Sequence, residues 1–227
     1  MSQPTNPSPP RARRLDYAAM QAKGYAGSEF EAHLETAEYR EGVGDLKAAL
    51  GYYLGAVELA PDNAVALRRA GEMAFRLAHF ADCLSLLGRA EQAGDESAQV
   101  AFLMGRAAEG LEDLAEALRQ FDRSISRNDR DAKAYYHRGH LYGRLGDLDA
   151  ATDDLIKATL LVPQYLQAYY DLARLYARRA MADEAMQALR QLQTSQRMVQ
   201  KVRRDKDFDV LRSYPSFWAL LSGKVTI

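Results

Sequence analysis

Two pairs of side chains have the spacing of reactive groups. His79 and Cys83 stand four residues apart, which on a helix would set an imidazole beside a thiol, the arrangement of a base-activated nucleophile. His137 and His140, three apart, could supply half of a metal site. Neither pair finds the rest of a constellation. Cys83 is the sole cysteine, and no fixed set of carboxylate or cysteine partners accompanies the histidines. The glycine loops that cradle phosphates, Gly-x-x-x-x-Gly-Lys and Gly-x-Gly-x-x-Gly, do not occur. Asp and Glu are scattered as they are on solvated helix surfaces, not set in acid–base pairs. These residues predict no catalytic group, no cofactor and no metal, so the chain reads as a non-enzyme.

Charge and composition narrow the class further. The 227 residues hold 30 Lys and Arg against 31 Asp and Glu, so no bulk positive field exists to gather nucleic acid or anionic membrane, and any basic site must be local. One cysteine rules out an intrachain disulfide and fits a reducing compartment; with no membrane-length apolar run and no apolar leader, a cytoplasmic location is expected. Hydrophobic residues make up 48%, and four of the seven prolines lie in the first ten positions. What remains is rich in Ala, Leu, Arg and Glu and nearly free of helix breakers, which predicts an all-α fold. Residues 1–14, with those prolines and Arg11, Arg13 and Arg14, read as a disordered tail. Leu15, Ala18, Ala19 and Ala22 then predict a short leading helix within 15–29, stopped by Gly24 and Gly27.

The elements that must position any site emerge from self-comparison. Residues 30–63, 64–97, 98–131, 132–165 and 166–199 align without insertion at a period of 34. Position 8 is always small (Ala37, Gly71, Gly105, Gly139, Ala173), and so is position 20 (Ala49, Cys83, Ala117, Ala151, Ala185). Position 24 is always large: Tyr53, Leu87, Phe121, Leu155, Leu189. Two antiparallel helices approach closely only where one side chain is small and a large neighbour fills the adjoining groove, so each repeat should be one helical hairpin. Gly44-Asp45 and Gly146-Asp147 are the strongest turn signals between the helices, and Pro61 and Pro163, three periods apart, end second helices. This places Cys83 in a packed small-residue position and His79 in a turn, a setting for an inert thiol.

The pattern resembles the tetratricopeptide repeats, most fully over 132–165 with Gly139, Tyr142, Gly146, Asp147, Ala151, Ala158 and Pro163. Departures are the missing tryptophan at position 4 and Asp95, Asp129 and Arg197 in place of the terminal proline. The resemblance implies a right-handed superhelical solenoid of antiparallel helix hairpins with a concave groove lined by positions 2, 5, 9, 12 and 13. Carried over residue by residue, that groove comprises Arg68, Arg76, Phe102, Arg106, Lys133, Tyr136, His140, Arg144, Tyr170, Arg174 and Arg178, with Phe75 nearby. Its seven cations face only Glu72 and Glu109, while the first repeat contributes Glu31, Glu38 and Glu41.

A groove of this kind predicts an interaction module or adaptor that binds an acidic, partly apolar protein segment, the tyrosines as anchors and the arginines setting orientation. RNA or another polyanion is the alternative ligand, against which the near-neutral charge and acidic first repeat argue; a pure assembly scaffold is a further alternative. The same arginines also read as plain solvation of an Ala/Leu-rich face, with Arg68, Glu72 and Arg76 as a ladder spaced by four. Residues 200–227 should cap the stack. Phe208, Leu211, Phe217, Leu220 and Leu221 around Pro215 resemble a Phe-x-x-Leu-Arg-x-x-Pro-x-Phe tail of bacterial members of that family, with Trp218 expected in buried packing.

Overall fold

The computed structural model describes residues 11–222; among them every regular element is helical, thirteen α-helices and one 3-10 segment, with no strand. The chain divides into two compact units, one ending at Arg127 and the other starting at Asn128.

In the first unit, α1 (Tyr17–Ala22) precedes three hairpins: α2 (Glu29–Gly42) with α3 (Leu46–Leu59), α4 (Ala64–Arg76) with α5 (Phe80–Gln92), and α6 (Ala98–Gly110) with α7 (Leu114–Arg127). Side chains fix the helix starts by accepting N–H groups that have no partner within the helix. Ser28 and Glu31 form a reciprocal capping box, and Asp45, Asn63 and Ser97 each accept from the residue three further on. The hairpins close where a glycine or alanine meets a large side chain. A Cβ built on Gly71 would lie 2.5 Å from Leu87 Cδ2, and one on Gly105 would lie 2.8 Å from Phe121 Cε1. Ala49, Cys83 and Ala117 beside these contacts are fully buried, and Ser124, the one polar residue at position 27, donates its hydroxyl to the Ala98 carbonyl at 3.0 Å.

The expected N-terminal tail needs correcting where it is described. Residues 1–10 lie outside the described residues, but Arg13 is docked on α3. Its N–H donates to the Gly51 carbonyl at 2.7 Å, its carbonyl lies 3.2 Å from His33 Nε2, and its guanidinium stands 6.0 Å from the Tyr52 ring centre. Gly51 and Gly55 leave the room for this crossing; a Cβ on Gly51 would meet the Arg13 side chain at 2.5 Å.

In the second unit, α8 (Ala132–Leu145) pairs with α9 (Leu148–Leu161) and α10 (Leu166–Arg178) with α11 (Ala182–Arg190). The second helix of the fifth repeat is shorter than those of the others: α11 stops after nine residues, and the chain turns so that Leu192, at position 27, is buried. A further helix, α12 (Gln196–Arg204), follows, then the 3-10 segment Lys206–Leu211 and α13 (Pro215–Leu221). Met198, Val202, Phe208, Leu211, Phe217, Leu220 and Leu221 form one apolar cluster with Tyr170, Ala173, Ala177, Ala185 and Leu189. Trp218 is not part of it. The indole is 44% exposed and donates to the Arg212 carbonyl at 2.9 Å, because Phe217 beside it takes the inward position.

Position 15 of every repeat lies in the left-handed region: Gly44, Ala78, Glu112, Gly146 and Ala180 have φ of 81°, 59°, 60°, 88° and 57°. Glycine takes this conformation freely, whereas an L side chain is strained by about 1 kcal/mol or more. Two predictions follow from the hairpin geometry. Gly105→Leu would drive a side chain into Phe121 and should lower stability by roughly 1–3 kcal/mol; an unchanged urea midpoint would refute the packing register. Ala78→Gly should raise stability by about 0.5–1 kcal/mol by relieving the turn, read as a higher midpoint at unchanged slope.

Candidate functional site

Cys83 is fully buried in the α4–α5 hairpin, and burial pushes its thiol up to about 12, the opposite of nucleophile activation. His79 precedes α5 and offers Cys83 only a backbone carbonyl, which accepts the Cys83 N–H at 2.9 Å. Among the described residues no group of three or more His, Cys, Asp or Glu is placed to hold a metal ion.

In the first unit the structure corrects the charge count behind the expected basic groove. Arg68 bonds Glu72 at 2.9 Å and also Asp95 at 2.9 Å. Arg76 bonds Glu41 at 2.8 Å, and Arg69 lies between Glu72 and Glu41 at 3.1 and 3.5 Å. Glu41, counted among the acidic residues of the first repeat, is a partner of the second repeat's arginines, and Glu31 is engaged in the capping box of α2. Arg106 lies over the Phe75 ring at 5.5 Å and 3.4 Å from Glu109. Phe102 is not an anchor presented to a ligand; it is buried against Phe121.

In the second unit two tyrosines expected as anchors are engaged by carboxylates one repeat further on. The Tyr136 hydroxyl donates to Asp171 at 2.9 Å, and the Tyr170 hydroxyl donates to Asp205 in the same way. Both pairs are 35 residues apart, so Asp205 holds the place in the cap that Asp171 holds in the last repeat. Burial, and then the adjacent carboxylate, push both phenols well above their ordinary range. Tyr170 is only 3% exposed and is therefore part of the core, with Lys201 Nζ 3.8 Å from its ring centre. Arg174 is surrounded by Asp207 at 2.7 Å, Asp205 at 3.2 Å and Asp171 at 3.7 Å.

Beside this paired row a cleft of about 240 Å³ opens between α8 and α10. His140, Gly143 and Arg144 line it from α8, and Asp171, Arg174, Leu175 and Arg178 from α10; Gly139 and Leu155 complete the lining. Arg144 and Arg178 are exposed, and the Tyr136 ring stacks on His140 with 6.2 Å between centres. Of the residues expected from sequence, the structure gathers His140, Arg144, Arg174 and Arg178 around this one space, with Tyr136 behind it; Lys133 is exposed and does not line it. Sequence reasoning missed Asp171, Gly143 and Leu175. Gly143 sits at position 12 and was findable there, whereas Asp171 and Leu175 fall outside the five positions taken to face the groove.

Residues 132–165, which contain the α8–α9 hairpin, match the family model of the tetratricopeptide repeat. The chain thus carries a tetratricopeptide repeat and has the all-α hairpin fold of tetratricopeptide-repeat proteins. Among solved structures it is similar to the MamA protein at a TM-score of 0.67 and 21% identity, over 78% of this chain and 95% of that one. It is similar to YrrB, described as a TPR protein with an unusual peptide-binding site, at 0.63 and 21%, over 92% and 97%. PilW, a type IV pilus biogenesis factor, is similar at 0.69 and 17%, over 86% and 91%. At such identities the likeness is one of fold. No curated protein matches the chain.

The acidic row makes a pH prediction. Burial alone would raise the Asp205 carboxyl, but the Tyr170 hydroxyl, the Asp207 N–H, Arg174 and Lys201 together hold it below its ordinary value of 3.8. A group lowered in the folded state stabilises it fully above the unfolded value and loses that contribution as pH falls through the lowered one. The urea midpoint of the parent should therefore exceed that of Asp205→Asn at neutral pH, and the gap should begin to narrow as pH falls toward 3.8 and go on narrowing below it. A gap independent of pH would contradict the assignment.

Proposed function

We propose that this chain is a non-catalytic, cytoplasmic protein-interaction module, and that the cleft between α8 and α10 receives an acidic segment of a partner protein. The observation that carries the reading is the convergence of Arg144, Arg178 and His140 on one open cleft, from the first helices of two successive repeats, beside Arg174, whose charge the chain's own Asp205 and Asp207 already meet. Guanidinium groups suit this task because the planar fork can bond a carboxylate through two parallel donors. The chain's own acid residues illustrate the chemistry: Arg138 holds Asp154 with Nε on one carboxylate oxygen and a terminal nitrogen on the other, each at 2.7 Å. YrrB, a TPR protein with a peptide-binding site, supports the same class of ligand for this fold. A polyanion such as RNA is less well served, since Arg68, Arg76 and Arg174 are already matched by carboxylates and little bare positive surface remains to release counterions.

The test is fluorescence anisotropy with labelled Ac-Glu-Glu-Phe-Glu-Glu-amide, its lysine counterpart and an oligouridylate, each titrated at several salt concentrations. The acidic peptide should bind and the lysine peptide should not. Arg144→Glu combined with Arg178→Glu, both at exposed positions, should weaken the acidic peptide at least about tenfold, with thermal melting to establish that the variant is folded. Preference for the oligouridylate with a steep salt dependence would overturn the reading in favour of a polyanion site.

A further inference from the structure

We propose that Gly143 determines what the cleft accepts: one apolar side chain, carried within the acidic segment and inserted between α8 and α10. The inference rests on the reading of the cleft as an acidic-peptide site and adds to it the identity of the group that enters.

Two glycines, Gly139 and Gly143, stand one turn apart on the same face of α8, and they are small for different reasons. At Gly139 a Cβ would lie 2.9 Å from Asp154 Cβ and 3.1 Å from the Ala151 carbonyl oxygen, so the hairpin itself requires glycine there. At Gly143 a Cβ would lie 3.6 Å from Leu175 Cδ2 and 3.8 Å from Ala151 Cβ, ordinary contact distances. Its backbone is not among the positive-φ positions of the chain. Packing and backbone geometry would both admit alanine, and glycine inside a helix costs roughly 1 kcal/mol relative to alanine. What glycine leaves at this position is the volume a side chain would fill beside Leu175 and Ala151, in the lining of the cleft.

That space selects for chemistry. Leu155 and Leu175 offer nothing to bond a carboxylate, and a charge placed against them would lose its hydration without replacement. Acidic groups therefore stay with the exposed Arg144 and Arg178, and the group that gains by entering is an aliphatic or aromatic side chain flanked by them.

The experiment compares Ac-Glu-Glu-Phe-Glu-Glu-amide with Ac-Glu-Glu-Ala-Glu-Glu-amide on the parent, Gly143→Ala and Gly143→Leu, with thermal melting to establish that each variant is folded. The parent should prefer the phenylalanine peptide by about tenfold or more. Gly143→Ala, which fits without a clash, should melt no lower than the parent yet narrow the preference, and Gly143→Leu should reduce it to within about twofold while the alanine peptide binds as before. If the parent binds both acidic peptides equally, or if filling position 143 leaves the preference intact, the inference fails while the acidic site stands. If neither acidic peptide binds the parent, the acidic-site reading fails and the inference with it.

Discussion

Everything in this chain depends on how closely two antiparallel helices can approach. The contact that sets the distance is a small residue at position 8 lying against the large residue at position 24, as in Gly71 on Leu87 and Gly105 on Phe121. Once that contact is made, the turn has little freedom, and position 15 is driven into the left-handed region even where the residue is Ala78, Glu112 or Ala180. The strain is local and repeated, and the buried hairpin interfaces outweigh it. The first helix of each hairpin is then held at a fixed rotation, which places positions 5, 9, 12 and 13 on one side of it and leaves that side to the polar chemistry described above.

A second regularity is laid on the first. The hydroxyls of Tyr136 and Tyr170 reach a carboxylate 35 residues on, one period and one residue, so adjacent repeats are joined by a buried polar contact that repeats with the fold. In the last step the acceptor comes from the cap, where Asp205 stands in for a sixth repeat and Asp207 adds a partner for Arg174. The cap thus ends the row both apolarly, through Phe208 and Leu211, and electrostatically. Satisfied polar groups of this sort specify one arrangement more than they add stability, since an unmet phenol or carboxylate in the same place would be costly.

The hairpins were legible because small, large and turn residues recur within one 34-residue unit, and sequence displays such local repetition directly. The charge pattern was legible only by halves. Arg68, Arg76 and Arg174 could be placed on the expected side of their helices, but Asp95 comes from the far end of its own repeat and Asp207 from the cap, which a count within five positions omits, and Glu41, though counted, gave no sign that it pairs with Arg76 across two hairpins. Tyr170 was read as an anchor because aromatic residues at position 5 face outward in principle; the cap, whose path cannot be read from periodicity, covers it. The same reason accounts for Trp218, which a composition argument buries and the register of α13 exposes, and for Arg13, whose docking depends on the room left by Gly51 and Gly55.

The central claim is that the side of the second unit between α8 and α10 is the binding surface. The most direct measurement is a titration of the isotopically labelled full chain with Ac-Glu-Glu-Phe-Glu-Glu-amide, followed through the backbone amide resonances. The account predicts that the largest shifts fall on residues 139–144 and 171–178, with those of α4, α6 and α13 nearly unmoved. Shifts concentrated on the arginine-bearing helices of the first unit or around Trp218, with the cleft residues unaffected, would contradict it.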